Sequence, residues 1–257
     1  AMVAMAGCVG RDGFAAPALV TMKESGVDTG TVIATETPTG CAAIWVDGNG
    51  ENSIIVASGA NREVRASQVP DSVLTPETLV MLQMEIPLPE NWSLVDRAKA
   101  RGARVALNVA PAAPVPESVL DKLDLLIVNE IEGAAIARAS GIDPVSPDAL
   151  PQRLSERHGF ACILTLGARG AILHGADGGW DIPSLPVSPR DTTGAGDTYT
   201  GVLAAGLDAG TSLVEAARCA SVAAGLACLK PGAQSAIPEK SEIAAAMEQL
   251  PAASRRA

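Results

Sequence analysis

Read for hydrophobic periodicity, the chain divides near residue 77. Beyond it, short apolar runs alternate with amphipathic stretches, over 79–86, 94–101, 105–109, 117–122, 125–128 and 131–139. Continuous apolar strands flanked by amphipathic helices predict a mostly parallel sheet covered on both faces. A helix over 149–158 follows, with Asp148 as its N-cap, Pro151 in its first turn and Gly159 as its stop. A strand over 161–166 comes next, and residues 171–174 and 180–187 read as a hairpin around Asp177-Gly178-Gly179. Helices over 212–229 and 240–249 finish the chain, and Ala252 to Ala257 should fray.

Before residue 77 the period is different. Residues 2–9 read as a buried strand and Phe14 to Ser25 as a helix ended by Gly26. Residues 31–36, 41–47 and 52–57 are short β-rich runs, with the hairpin signal Asp47-Gly48-Asn49-Gly50 between the last two. Together they predict a small antiparallel sheet. Ile44, Val46, Ile54 and Val56 alternate with other residues, so one face of that sheet calls for cover by a ligand or another subunit.

Candidate chemistry collects where the predicted strands end, which is where open α/β sheets place their ligands. Glu85, Asn108, Asn129 and the stretch Thr165 to Gly170 all follow strands. So does Asp191-Thr192-Thr193-Gly194-Ala195-Gly196-Asp197-Thr198, a Gly-rich turn opening into an Ala-rich helix. Gly194 and Gly196 let backbone N–H groups approach an anion, and the unpaired donors and dipole of a helix start favour negative charge. Asp197 has two readings: it stabilises the helix start through the dipole, or it takes a proton from a hydroxyl held beside a phosphate. Asn129-Glu130-Ile131-Glu132 reads as a capping box, which is compatible with a carboxylate that orders water around a metal. Glu85 alone reads equally well as a surface carboxylate.

Composition narrows the classes. With 257 residues, 47% of them hydrophobic, the chain can bury a substantial core as a single domain over 1–257, with 31–60 as a β appendage. A net charge of −10 argues against nucleic-acid and anionic-membrane partners. Five scattered cysteines without a C-x-x-C pair, and no apolar run long enough to span a bilayer, point to the reducing cytoplasm. There is no P-loop, and Tyr199 stands where a dinucleotide fingerprint would need its third Gly, which disfavours a dehydrogenase. His158 and His174 lack partners at ligand spacing, and no G-x-S-x-G elbow supports a serine nucleophile.

Taken in order, these stretches resemble the ribokinase family of sugar and nucleoside kinases. Asp191 to Thr198 is similar to that family's C-terminal signature. Thr39-Gly40-Cys41-Ala42, Gly50-Glu51-Asn52 through Gly59-Ala60-Asn61, Met84-Glu85, Asn108 to Ala112, Asn129-Glu130 and Gly232-Ala233-Gln234 follow the family's order over nearly the whole chain. The resemblance implies a three-layer α/β/α domain with a β-sheet lid, transferring phosphate from ATP to a sugar, with D-ribose O5 the first choice. Other sugars, a nucleoside, or a non-catalytic binding relative are its alternatives.

By that resemblance Asp197 is the base, and the backbone N–H groups of Ala195, Gly196 and Asp197, set by Gly194, form the anion hole. Glu85 faces the sugar. Asn129 and Glu132 organise Mg²⁺-linked water and phosphate, while Thr165, Gly167 and Gly170 line the nucleotide. Ser221 stands near the adenine in place of a larger side chain. The resemblance further implies K⁺ held by Asp191, Thr193 and carbonyls of Ala227, Lys230 and Gly232, with Ala236 where a Ser hydroxyl is common. It also implies an N-terminal strand, carrying a sugar-binding Asp, that does not precede Ala1, so further upstream residues are expected. The alternating apolar face of the lid leads to a predicted homodimer.

Overall fold

The computed structural model describes residues 1–46, 52–142 and 146–256. Its elements in chain order are β1 (Ala4–Gly10), α1 (Ala15–Glu24), β2 (Asp28–Thr35), β3 (Cys41–Val46), β4 (Asn52–Ala57), β5 (Leu79–Leu82), α2 (Leu88–Ala100), β6 (Arg104–Asn108), α3 (Glu117–Leu120), β7 (Leu125–Asn129), α4 (Glu130–Ala139), α5 (Leu150–His158), β8 (Ala161–Thr165), β9 (Ala171–Gly175), β10 (Gly178–Ile182), α6 (Ala195–Asp208), α7 (Leu213–Ala227), α8 (Lys240–Ala246) and β11 (Ser254–Arg255).

A seven-stranded sheet, ordered β11-β10-β9-β8-β7-β6-β5, carries the fold. Strands β5 to β8 run parallel, and β9, β10 and β11 extend the sheet by antiparallel pairing. The central strands are apolar throughout because both faces are covered. One face packs Leu107, Leu126, Leu164 and Cys162 with Leu94, Ile136, Leu154 and Phe160. The other packs Ala106, Ile127, Ile163 and Leu173 with Tyr199, Leu203, Ala217 and Ala220. Small residues bring α6 and α7 together: a Cβ added at Gly206 would sit 2.9 Å from the Ala216 Cβ. This is the predicted three-layer arrangement with its mostly parallel central sheet. No helix among the described residues is long and apolar enough to cross a membrane.

Local signals explain several boundaries. Asn129 and Glu132 close the predicted capping box at the start of α4. Gly159 ends α5 in the left-handed region at φ 85°. His158 is structural, as expected: its ring is buried, stacks on Phe160, and meets Asp121 at 2.7 Å and Ser140 at 3.3 Å.

Four sequence expectations need correction. The strand at 28–35 does not join the lid; it pairs in parallel with β1, and only β3 and β4 form the antiparallel hairpin. Period-2 patterning places residues on a face but does not choose a strand's partner. Strand β1 is buried only over its second half, where Cys8 packs with Ala60 and Val64, and Ala4 and Met5 are exposed. Asp148 is not the cap before α5; the Ser146 hydroxyl accepts the Asp148 N–H and starts a 3-10 turn at 147–149 that runs into the helix. The end of the chain does not fray as a whole, since Ser254 and Arg255 pair with β10 and the Arg256 N–H donates to the Gly179 carbonyl at 2.9 Å. The hairpin tip at 47–50 lies outside the described residues. The β3–β4 register sets Ile44 opposite Ile54 and Ala42 opposite Val56, and Ile55 and Val56 of β4 are exposed.

Candidate active site

Parallel pairing of β5 to β8 aligns their carboxyl ends, where the singled-out residues follow one another across the sheet. Asn129 is in register with Thr165, and Asn108 with Ile127. Next to β6, the Met84 N–H donates to the Ala110 carbonyl at 3.0 Å, which ties the segment carrying Glu85 to the end of β6. Glu85 itself is exposed.

The start of α6 has the geometry that an anion requires. Gly194 is the N-cap at φ 72°, a conformation that favours glycine, and a Cβ there would come within 3.1 Å of the Ala233 Cα. Asp197 is therefore the third helical residue, and it is exposed. The Ala195 N–H donates to the Thr192 carbonyl at 3.2 Å, and the first intrahelical bond runs from the Thr198 N–H to the Gly194 carbonyl. This bears on which donors are free at the helix start. Ala195 is occupied in closing the turn, so Gly196 and Asp197 supply the free donors. A Cβ at Gly196 would meet nothing within 4 Å, so the space above those donors is open.

That space yields a prediction. Gly196→Ala should keep or raise the thermal midpoint, because Ala is favoured over Gly in a helix by up to about 1 kcal/mol. The added methyl should nevertheless lower kcat roughly 10- to 100-fold by displacing the anion from its donors. Thermal melts beside steady-state kinetics check both halves.

Asp191 holds the loop behind the helix start. One carboxylate oxygen accepts the Thr193 N–H at 2.9 Å, and the other accepts the Gly232 N–H at 2.8 Å. These bonds favour the ionised form and, led by the one from Gly232, hold its pKa at about 2 against an ordinary 3.8. A group depressed in the folded state contributes stability that is complete above its unfolded pKa and is lost as pH falls through the folded one. The Asp191 contribution should therefore disappear between about pH 4 and pH 2, and Asp191→Asn should flatten that part of the acid-unfolding profile.

The remaining predicted residues fall as follows. Glu132 is 6% exposed; its two carboxylate oxygens accept the Asn129 N–H and side-chain amide at 2.8 Å each. Burial nevertheless pushes its pKa up. Thr165 directs its hydroxyl to the Val128 carbonyl at 3.3 Å. Gly167 and Gly170, at φ 57° and 88°, shape the turn after β8. Ser221 is buried on α7, and its hydroxyl donates to the Pro183 carbonyl. Lys230 turns its ammonium to Glu242 at 3.0 Å, leaving only its backbone for a cation.

Two features were not anticipated. Arg169 pairs with Glu130 at 2.6 Å and so links the Gly167–Gly170 turn to the start of α4. Ala233 packs against Gly194. Arg169 was visible within a marked stretch, but its partner 39 residues away was not. A cavity of about 230 Å³ touches the same turn at Leu166 and Arg169 but includes none of Asp197, Gly196 or Asn129.

The donor chemistry fits the expected cations in different ways. Among the described residues no cluster of three or more His, Cys, Asp or Glu side chains could hold a metal. A divalent ion would then depend on one or two carboxylates together with substrate phosphates, the usual binding mode of Mg²⁺. The Asp191 carboxylate, held ionised beside the left-handed Gly232 at φ 95°, is an oxygen donor of the hard class.

A helix start with free backbone donors and a carboxylate in its first turn has the chemistry for moving a phosphoryl group to a hydroxyl. The pattern of the pfkB family carbohydrate kinases matches residues 1–240. A ribokinase of Lactococcus lactis is 34% identical over 253 residues, covering 96% of this chain and 80% of that protein. A ribokinase of Haemophilus influenzae is 31% identical, with 94% and 80% covered. Among solved structures, ribokinase from Thermotoga maritima superposes with a TM-score of 0.86 at 28% identity, over 95% of this chain and 81% of that one. Arabidopsis thaliana ribokinase complexed with ribose and ATP gives 0.84 at 27% identity, over 96% and 82%. The chain belongs to the pfkB family of carbohydrate kinases, phosphotransferases that act on an alcohol group.

Proposed function

We propose that this protein transfers the γ-phosphoryl group of ATP to O5 of D-ribose, giving ribose 5-phosphate. The observation that carries the reading is the start of α6, where the open space above Gly196 lies beside the exposed carboxylate of Asp197. The choice of ribose and ATP is supported by the ribokinases similar to this chain and by the ribose and ATP bound in one of them.

In this reading Asp197 takes the proton from the acceptor hydroxyl as its oxygen attacks the γ-phosphorus, the bond to the β,γ-bridging oxygen breaks, and ADP leaves. The N–H groups of Gly196 and Asp197 hold the transferring phosphoryl where its negative charge develops. Glu85 orients the sugar, and Thr165, Gly167 and Gly170 line the nucleotide, with Arg169 and Glu130 fixing that turn. Asn129 and Glu132 organise water for Mg²⁺, while Asp191, Thr193 and the carbonyls of Ala227, Lys230 and Gly232 hold K⁺. Bound cations supply positive charge beside the phosphates. Five unpaired cysteines support a reducing, cytoplasmic setting.

A panel of pentoses, hexoses and nucleosides, each with ATP and the full-length protein, tests the assignment. Ribose should give the highest kcat/KM, and a preference for fructose or a nucleoside would overturn it. The exposed Ile55 and Val56 of β4 support a homodimer through the lid. Light scattering at micromolar concentration should give twice the chain mass, and a monomer would refute the dimer.

A further inference from the structure

The hairpin of β3 and β4 is rooted in an unusually tight crossing. The outgoing leg at Pro38 to Gly40 and the returning leg at Ser58 to Asn61 pass so closely that neither glycine tolerates a side chain. A Cβ at Gly40 would lie 2.6 Å from the Ser58 carbonyl oxygen, and one at Gly59 would lie 2.3 Å from the Pro38 carbonyl oxygen. The Ala60 N–H donates to that same Pro38 carbonyl at 2.8 Å. A third glycine, Gly10 at the end of β1, comes equally close, since its Cβ would lie 2.5 Å from the Thr39 nitrogen.

One carboxylate ties this crossing to the body of the protein. Asp12, just past β1, accepts the Thr39 N–H at 2.7 Å, the Thr39 hydroxyl at 2.8 Å and the Phe14 N–H at 2.9 Å. The Thr39 hydroxyl in turn accepts the Gly10 N–H at 2.8 Å. Beneath the crossing, Ala60 and Val64 bury themselves with Cys8 and against Ile86, the residue next to Glu85. The root of the hairpin is therefore packed beside the segment that presents the sugar-side carboxylate.

We propose that Asp12 and Thr39 are a positioning pair that fixes the angle of the β3–β4 hairpin over the acceptor end of the site. The part that concerns the acceptor rests on the sugar-kinase reading above. Asp12 is exposed and its carboxylate bonds run to Thr39 and Phe14, so they serve to orient the hairpin's root more than to fill the core. Charge-assisted bonds to a carboxylate are the strong ones, and losing them loosens the root even though the glycine crossing remains.

Asp12→Ala should raise KM for the sugar roughly tenfold while KM for ATP stays within a factor of about two. Thr39→Val, which keeps the N–H but loses both hydroxyl bonds, should do the same to a smaller extent, and Thr39→Ser should restore wild-type behaviour. Amide exchange in the strands at 41–46 and 52–57 should quicken in Asp12→Ala and Thr39→Val, with exchange in β6 to β8 unchanged. That measurement needs no substrate, so it stands even if the acceptor is not ribose. Equal rises in both KM values with a uniformly faster exchange would show a general structural role and overturn the proposal. Unchanged exchange in the hairpin would overturn it as well.

Discussion

Replacing Asp197 with Asn is expected to lower kcat about 10²- to 10⁴-fold with little loss of stability. The carboxylate is exposed at the third position of α6, so the isosteric amide meets no steric obstacle. What the fold loses is the favourable interaction of a negative charge with the helix start, typically about 0.3–1 kcal/mol, which is a few degrees in the thermal midpoint. What the reaction loses is the base. Because the substitution leaves the Gly196 N–H in place, the KM for ATP should change much less than kcat. Steady-state kinetics over both substrates, with a melt of the same sample, separates the two effects. A kcat within a factor of a few of wild type would remove Asp197 from the chemistry.

Gly170→Ala should be the most damaging single methyl in the turn after β8. Gly170 has φ 88° and ψ −136°, a backbone region reached essentially by glycine alone. A Cβ there would stand 2.1 Å from the Ile182 carbonyl oxygen, which belongs to strand β10 and cannot yield without disturbing the sheet. Strain and overlap together should cost about 3 kcal/mol or more, a fall of roughly 6–12 °C in the midpoint. Gly167, three residues earlier in the same turn, is the control. It also has a positive φ, 57°, but a Cβ there would meet nothing within 4 Å. Gly167→Ala should therefore cost only about 1–2 kcal/mol. Equal losses in the two variants would show that the Ile182 contact does not govern this turn.

The parts of the protein legible in its sequence are those whose determinants are local. Strands β5 to β8 and helices α2, α4 and α5 follow from apolar runs and helical periodicity, and the Asn129–Glu132 box lies within four consecutive residues. The α6 start is legible for the same reason, since Gly194, Gly196 and Asp197 are neighbours. Partners chosen across long sequence distances are not legible. Nothing in 28–35 says that it will pair with β1 and not with 41–46, and nothing near Arg169 points to Glu130. The Asp12–Thr39 bonds, 27 residues apart, belong to the same class. The Ser221–Pro183 bond, 38 residues apart, is of this kind too. The start of α6 is an intermediate case: its residues are visible in the sequence, but only the Ala195–Thr192 bond shows which donors stay free.

The central claim is that the start of α6 moves a phosphoryl group from ATP to a sugar hydroxyl with Asp197 as base. Phosphorus NMR of the full-length protein with ATP and D-ribose tests it most directly. The account predicts that the γ-phosphate signal declines as a phosphomonoester on the primary C5 hydroxyl appears, and that Asp197→Asn abolishes this exchange on the same timescale. Formation of that ester at an undiminished rate in the variant, or free phosphate in place of the sugar ester in the wild type, would contradict it.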